Sequence, residues 1–489
     1  VGRARLARIA GGRDGTLLLS ARVAMSAQRS LVGVVVPIYL ARRGFSATEL
    51  GALFALVALA AAGMSALIGL LADRVARKPF IVAMPLLSAA AGLVFAFTDT
   101  TWALFAAAAL GSYGRGSGAG AAQIGPYQPA EQAMMAGLVE DSARNALFAL
   151  IASASAAGSL LGTILTLTPL TSPRTAHVVF AATYRPAFIA SAVLAALAAT
   201  LALPVREHRA ARARHALTRD AVPSDTSAPD RSAPDRSAPD ALGPERALPG
   251  GLLAARDDGG QGDQAELSYG TLAGDETTSG EPSLSSNPPA YAPSGRLSPE
   301  SRRLIRQLWA TNGVNGLAVG LFGPFITYWL YKRFGAGPAE VGAVYTAANV
   351  VTIATNQLAS PLARRGGTVR TVVITRTLQA LMLPLLAVMP TIALAGAVYT
   401  LRLVAQRIGL SLRQSFVMGA APANERARVA AFSQLPVQGI SALAPTLSGY
   451  LFDEVGLAAP FELAGVLQLA NAWLFHHFFA AADGRRQTR

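Results

Sequence analysis

The chain has 489 residues, 52% of them hydrophobic and only 14% charged, against about 25% charged in ordinary water-soluble domains, so it reads as a membrane protein. It contains no cysteine, which excludes disulfides and thiolate metal sites, and its five histidines (His177, His208, His215, His476, His477) lack acids at ligand spacing, which excludes a metalloenzyme. The net charge of +14 comes from bases at the ends of apolar runs, a topological pattern and not a nucleic-acid footprint.

Arg3, Arg5, Arg8 and Arg13 precede an apolar run that imitates a signal peptide, but the run reaches Leu40 without a small-residue cleavage site and reads as a retained first helix. Apolar stretches of about 20 residues cross the hydrocarbon core as helix. By that rule spans fall near 16–40, 48–70, 79–98, 101–125, 144–167 and 184–204. A second set falls near 303–331, 338–360, 369–389, 391–412, 427–451 and 459–480. The fold class expected is an all-α membrane protein with twelve transmembrane helices in two pseudo-symmetric six-helix bundles.

Alternate short connections carry most of the bases: Arg74, Arg77 and Lys78, then Arg144, Arg206 and Arg209, then Arg364, Arg365 and Arg370, then Arg413, Arg426 and Arg428. The opposite connections are poorer in bases, and the last of them is acidic, with Asp453 and Glu454. The bias toward basic cytoplasmic loops therefore places both termini in the cytoplasm. Arginine dominates over lysine, which occurs only as Lys78 and Lys332, and with abundant alanine this suggests a GC-rich bacterial genome and an inner-membrane location.

Residues 1–204 and 301–489 form the two helical domains, and 205–300 form a linker rich in Arg, then in Pro, Ser, Asp and Gly. Within it Ser227-Ala228-Pro229-Asp230-Arg231 recurs at Ser232–Arg236 and begins again at Ser237. So few large apolar groups cannot offset chain entropy, and the linker is expected to be disordered. The helical domains repeat one another. Gly33 and Pro37 match Gly320 and Pro324, and Gly44, Glu49 and Gly51 match Gly335, Glu340 and Gly342. Gln132, Gly137 and Arg144 match Gln414, Gly419 and Arg426 at one spacing.

Between the second and third spans lies Gly69-Leu70-Leu71-Ala72-Asp73-Arg74-Val75-Ala76-Arg77-Lys78. Its spacing of Gly69, Asp73, Arg74, Arg77 and Lys78 resembles the signature loop of the major facilitator superfamily, with Ala76 where that family usually has glycine. Two parallel repeats related by an axis along the membrane normal are that family's plan. The resemblance implies a transporter working by alternating access. It also implies that Asp73 locks the cytoplasmic side against the start of the eleventh helix, near Asn424 to Arg426, with Arg74 and Arg77 bracing it.

Polar groups in hydrocarbon are costly, so each is a functional candidate until a partner accounts for it. Arg115 lies in the fourth span, and Arg115-Gly116-Ser117-Gly118-Ala119-Gly120 resembles the family's fourth-helix motif, which implies a part in proton transfer; the competing reading is an arginine bonded to neighbouring carbonyls. Arg402 is the same kind of candidate in the tenth span. Arg22 and Arg29 share one helical face. Arg29, with Gln28 beside it, either meets an anionic substrate or is structural, whereas Arg22 is expected to snorkel to the cytoplasmic surface. Glu131 either exchanges a coupling proton with help from Arg115 or forms a cytoplasmic salt bridge. Tyr113, Asn312, Asn315, Asn349 and Asn356 complete the cavity candidates, and Pro324 is expected to break the seventh helix toward its outer end.

These features favour a monomeric carrier that binds a small molecule and no cofactor, in a lipid bilayer, performing proton-coupled efflux. An anionic or neutral substrate suits the cationic cavity. No acid lies inside the first, seventh or tenth spans, and the fifth has Gly158 and Gly162 but not the family's antiporter Gly-Pro pair, so direction stays open. A nutrient importer of the same fold and a non-transporting receptor or scaffold signalling through the linker are the alternatives; an enzyme is not expected, because no nucleophile, base and orienting residue cluster together.

Overall fold

The computed structural model describes residues 11–72, 76–113, 125–139, 144–168, 180–206, 297–355, 367–422 and 425–487. Among them there is no strand, and the helices in chain order are α1 (Gly12–Arg42), α2 (Ala47–Ala72), α3 (Lys78–Phe97), α4 (Thr101–Gly111), α5 (Gln128–Ala136), α6 (Arg144–Leu165) and α7 (Phe180–Ala202). The second half contributes α8 (Pro299–Phe322), α9 (Ile326–Phe334), α10 (Pro338–Thr355), α11 (Thr368–Val388), α12 (Ile392–Ala420), α13 (Arg426–Glu454) and α14 (Ala459–Gln487). Helices α4 and α5 fall in the fourth span and its following connection, and α8 with α9 make up the seventh span, so the twelve expected spans are all represented.

Local sequence explains where the helices begin and break. Ser298 caps α8 by accepting from the Ser301 amide at 3.2 Å, with Pro299 at the first helical position, where its missing N–H leaves no gap. Pro324 separates α8 from α9, whereas Pro37 at the matching repeat position lies inside an unbroken α1. Pro324 follows Gly320 and Gly323, whose helix propensity is below that of every residue but proline, while Pro37 sits among Val34, Val35, Val36 and Ile38, all buried. The tenth helix continues to Ala420, beyond the expected end at 412, and this corrects one topological reading: Arg413 is a buried residue of α12 and not part of a cytoplasmic loop.

Helix α1 is central to its half, with 89% of its most apolar window buried against 39% in α2, and it packs between α6 and α7. In the other half α8 packs on α13 and α14, and α11 on α12 and α14. Leu56, Leu59, Leu67, Leu70, Leu443, Leu447, Val466 and Trp473 remain on the outside, an apolar belt that lipid covers. Among the described residues seven segments are both long and apolar enough to cross a bilayer. Helices α12, α13 and α14 have the length, 29 residues each, but bury polar side chains such as Arg402, Ser448 and Asn471, which lowers their hydropathy without wetting their lipid face.

The halves meet most extensively through two pairs of helices related by the repeat, α2 with α13 and α6 with α10, and further through α1 against α9 and α10. The matched glycines Gly51 and Gly342 serve these two contacts: a Cβ on Gly51 would strike the Pro445 carbonyl, and one on Gly342 would strike Thr166. The matched Gly44 and Gly335 likewise both turn the chain with positive φ, 90° and 66°. Sequence repetition is thus carried into equivalent turns and equivalent interfaces.

Candidate functional site

The polar groups buried inside the helix bundles, and the seam between the halves, are where function can reside. In the first half Arg22 forms an ion pair with Glu131, and its Nε donates to Ser155 Oγ at 2.6 Å. Both charged side chains are 2% exposed. This overturns the expectation that Arg22 snorkels to a surface. Helix α5 brings Glu131 inward on its buried face beside Ala130, Met134 and Met135, and a buried carboxylate needs a cation there. The contact joins residues 109 positions apart, so only the folded chain reveals it.

Arg29 donates from Nη2 to the Ser112 carbonyl at 3.1 Å. Ser112 closes α4 with φ of 51°, where unsatisfied helix-end carbonyls need donors, so Arg29 braces the end of that helix. Gln28 is buried beside it, with its Oε1 accepting no hydrogen bond among the described residues. Tyr113, expected in the cavity, is instead part of the first half's core: its hydroxyl is bonded to Ser191 and its ring lies 5.0 Å from that of Phe95.

In the second half Asn312 donates to the Ser433 carbonyl at 2.5 Å and accepts from Arg413. Asn315 accepts from Arg376, Gln468 and Asn471 at 3.4, 3.2 and 3.3 Å. The two asparagines are therefore inside a polar knot among α8, α11, α12 and α14, and not bare cavity walls. Arg376, Arg413, Gln468 and Asn471 were not among the sequence candidates, although Arg376 lies inside the expected ninth span and its charge at that depth was a usable signal.

Arg402 is 2% exposed, makes no hydrogen bond among the described residues, and lies over the Phe322 ring at 4.0 Å. Phe322 is the last residue of α8, immediately before the break at Gly323. Nearby, the rings of Tyr345 and Tyr399 stand 5.7 Å apart, joining α10 to α12. Asn349 lies one turn beyond Tyr345, and Arg402 nearly one turn beyond Tyr399, on helices that run in the same direction, so the two side chains share a depth. The Asn349 Nδ2 also has no hydrogen-bond partner among the described residues.

At one end the halves are tied across the seam. Asp453, near the end of α13, accepts from the Ala47 amide at 3.1 Å, the Thr48 amide at 2.8 Å and the Thr48 hydroxyl at 2.8 Å, so its carboxylate caps the start of α2. The Phe54 and Phe325 rings meet edge to face at 5.4 Å, and Arg42 lies over the Tyr331 ring at 5.6 Å. The charged turn between α2 and α3 is described only at its margins, where Gly69 is exposed and Arg77 and Lys78 are half-buried. Asp73, Arg74, Arg115, Asn356 and Asn424 lie outside the described residues. Among the described residues no group of three or more acids and histidines is placed to hold a metal.

A family model described as the Major Facilitator Superfamily matches residues 18–245 and 308–488. No curated protein matches the chain by sequence. Several solved structures share its fold. The nucleoside transporter NupG is 12% identical with a TM-score of 0.60, the alignment covering 95% of this chain and 99% of that one. The xylose transporter XylE from E. coli, in an inward-open conformation, is 12% identical with a TM-score of 0.60, covering 94% and 95%. The human organic anion transporter MFSD10 is 16% identical with a TM-score of 0.52, covering 95% and 99%.

Proposed function

Because the chain belongs to the major facilitator superfamily of membrane transporters, we propose that it is a secondary active carrier exporting a small anionic or neutral molecule in exchange for protons. The observation that carries the alternating-access reading is the seam tied at one end by Asp453 on α2, Phe54 on Phe325 and the close approach of Gly51 to α13. With the basic connections on the cytoplasmic side, that end is the outer one, and the arrangement is the state in which an exporter loads from within. The cell membrane would be the bacterial inner membrane, with both termini in the cytoplasm and the carrier acting as a monomer.

The buried Arg22–Glu131 pair supports proton coupling. A proton taken up by Glu131 removes the counter-charge of Arg22 and frees both side chains to move; loss of the proton restores the pair. Arg402, buried with neither a hydrogen bond nor an ion pair among the described residues, supports an anionic or neutral cargo, since a cation would meet repulsion there. Arg115 and Asp73 keep their proposed parts in proton transfer and in the cytoplasmic lock, on the resemblance of their motifs.

The test is growth inhibition by a broad compound panel in a host stripped of its own exporters, followed by transport into everted vesicles with and without an imposed pH gradient. Resistance to particular compounds, with gradient-driven accumulation lost in Glu131→Gln at matched membrane levels, is the expected result. Accumulation that persists without a gradient, or undiminished in Glu131→Gln, would remove Glu131 from the coupling path. Deleting residues 215–295 should leave transport intact; loss of all activity there would favour a signalling role for the linker.

A further inference from the structure

Among the described residues the second half buries three arginines, Arg376, Arg402 and Arg413, each no more than 6% exposed and none in an ion pair. No Asp or Glu occurs in the sequence between Glu340 and Glu425, so helices α11 and α12 supply no acid of their own. Arg376 donates from Nη1 to Asn315 Oδ1 at 3.4 Å, and Arg413 donates from Nη1 to Asn312 Oδ1. Asn312 and Asn315 are one turn apart on α8, so the two guanidiniums approach that helix on neighbouring turns. The amide oxygens bond them without neutralising them, and Arg413 Nε has no hydrogen-bond partner among the described residues.

Two like charges brought together out of water repel, and each retains the desolvation penalty of an unpaired ion. Gln468 and Asn471 fix Asn315 from α14, so the amides are held in place rather than free to follow the arginines. Such an arrangement is stable in company with a negative charge. Guanidinium forks match the paired oxygens of carboxylate and phosphate, which can bridge two of them at once.

We infer that Arg376 and Arg413, oriented by Asn315 and Asn312, form a binding station for a single oxyanion group, the carboxylate or phosphate of a soluble solute. Arg376 is eight residues from the start of α11 and Arg413 seven from the end of α12, so the station is about 10–12 Å along its helices from their nearer ends. Arg402 lies eleven residues earlier on α12, close to three full turns, and therefore on the same face, about 16 Å nearer the tied end. An anion leaving the station toward that end meets Arg402 next. The station's place on the transport route rests on the proposed function; its existence as a binding site does not.

The experiment is thermal unfolding and calorimetric titration of the purified full chain in detergent with inorganic phosphate and with acetate, at constant ionic strength, using chloride as reference. A saturable rise in Tm with phosphate or acetate and not with chloride is expected. Arg376→Gln and Arg413→Gln should each weaken it more than tenfold, and Arg302→Gln on the exposed face of α8 should leave it unchanged. Should a glutamine variant fold poorly, Arg376→Lys and Arg413→Lys keep the charge but lose the fork, and weakening beyond threefold at near-native Tm supports the same site. No oxyanion response, an equal response to chloride, a response only to added phosphatidylglycerol, or an undiminished response in the double glutamine variant would overturn it. Binding without export would leave the station standing and retire the export reading; export without oxyanion binding would do the reverse.

Discussion

Glu131 and Arg413 occupy the same register position in the two halves, each immediately before a matched glutamine, Gln132 and Gln414, yet they carry opposite charges and have opposite fates. Glu131 is neutralised within its half by Arg22, whereas Arg413 meets, among the described residues, the amide of Asn312 and no acid. The duplicated architecture thus holds a self-contained ion pair on one side and an uncompensated cation on the other. That asymmetry is a basis for assigning proton exchange to the first half and anion capture to the second.

Removing one member of the buried pair leaves the other charged and unpaired. Arg22→Gln should destabilise the protein by about 3–5 kcal/mol, while the double variant Arg22→Gln with Glu131→Gln should fall closer to the wild type than Arg22→Gln alone. Thermal unfolding in detergent across the double-mutant cycle checks this ordering. A strictly additive cycle would mean that the two side chains do not support one another.

Asp453→Asn removes the negative charge from the start of α2. The tied end should weaken by about 1 kcal/mol, shifting the balance of conformations roughly fivefold toward the state open at that end. The native chain has no cysteine, so spin labels at Thr100→Cys and Val455→Cys report the separation of the halves without a cleared background. An unchanged distance distribution would show that the cap carries no weight in the equilibrium.

Gly51→Ala tests the same seam through volume in place of charge. Its new Cβ meets the Pro445 carbonyl only when the halves are together, so the penalty of overpacking, about 1–3 kcal/mol, falls on the closed end alone. The label pair should separate as it does for Asp453→Asn, with membrane levels preserved. Gly63→Ala, where nothing lies within 4 Å of the added carbon, should leave the distances alone.

Arg402→Met replaces a buried cation that has no ion pair among the described residues by an apolar chain of similar length. Removing the uncompensated charge should raise the unfolding temperature, a gain of about 1–4 kcal/mol, while transport of the cargo is lost. Stability and transport measured on one preparation decide it. A variant that is both less stable and fully active would assign Arg402 a purely structural role.

The twelve spans, the two-fold repeat and the interrupted seventh helix were legible in the residues because each depends on local causes: about 20 apolar residues per crossing, glycines where the chain turns, and Pro324 next to Gly323. The candidate site was legible only in its ingredients. An arginine at hydrocarbon depth announces that something must compensate it, but not what. Arg29 was found to hold the end of α4, Tyr113 to join Ser191 in the core, and Arg22, expected at a surface, to pair with Glu131. Asp453, which reads as an acid of an outer turn, ties α13 to α2 across 405 positions of sequence.

By itself, then, the sequence determined that this chain crosses a membrane as two repeated helical bundles, since hydropathy and repetition are properties of the chain in order. Only the tertiary structure decided which buried charges are neutralised, at Arg22 and Glu131, and which, at Arg376 and Arg413, are bonded to neutral amides and to no acid among the described residues. The reason is physical: the free energy of a buried charge is set by the groups within a few ångströms of it, and those groups come from helices far apart in the sequence.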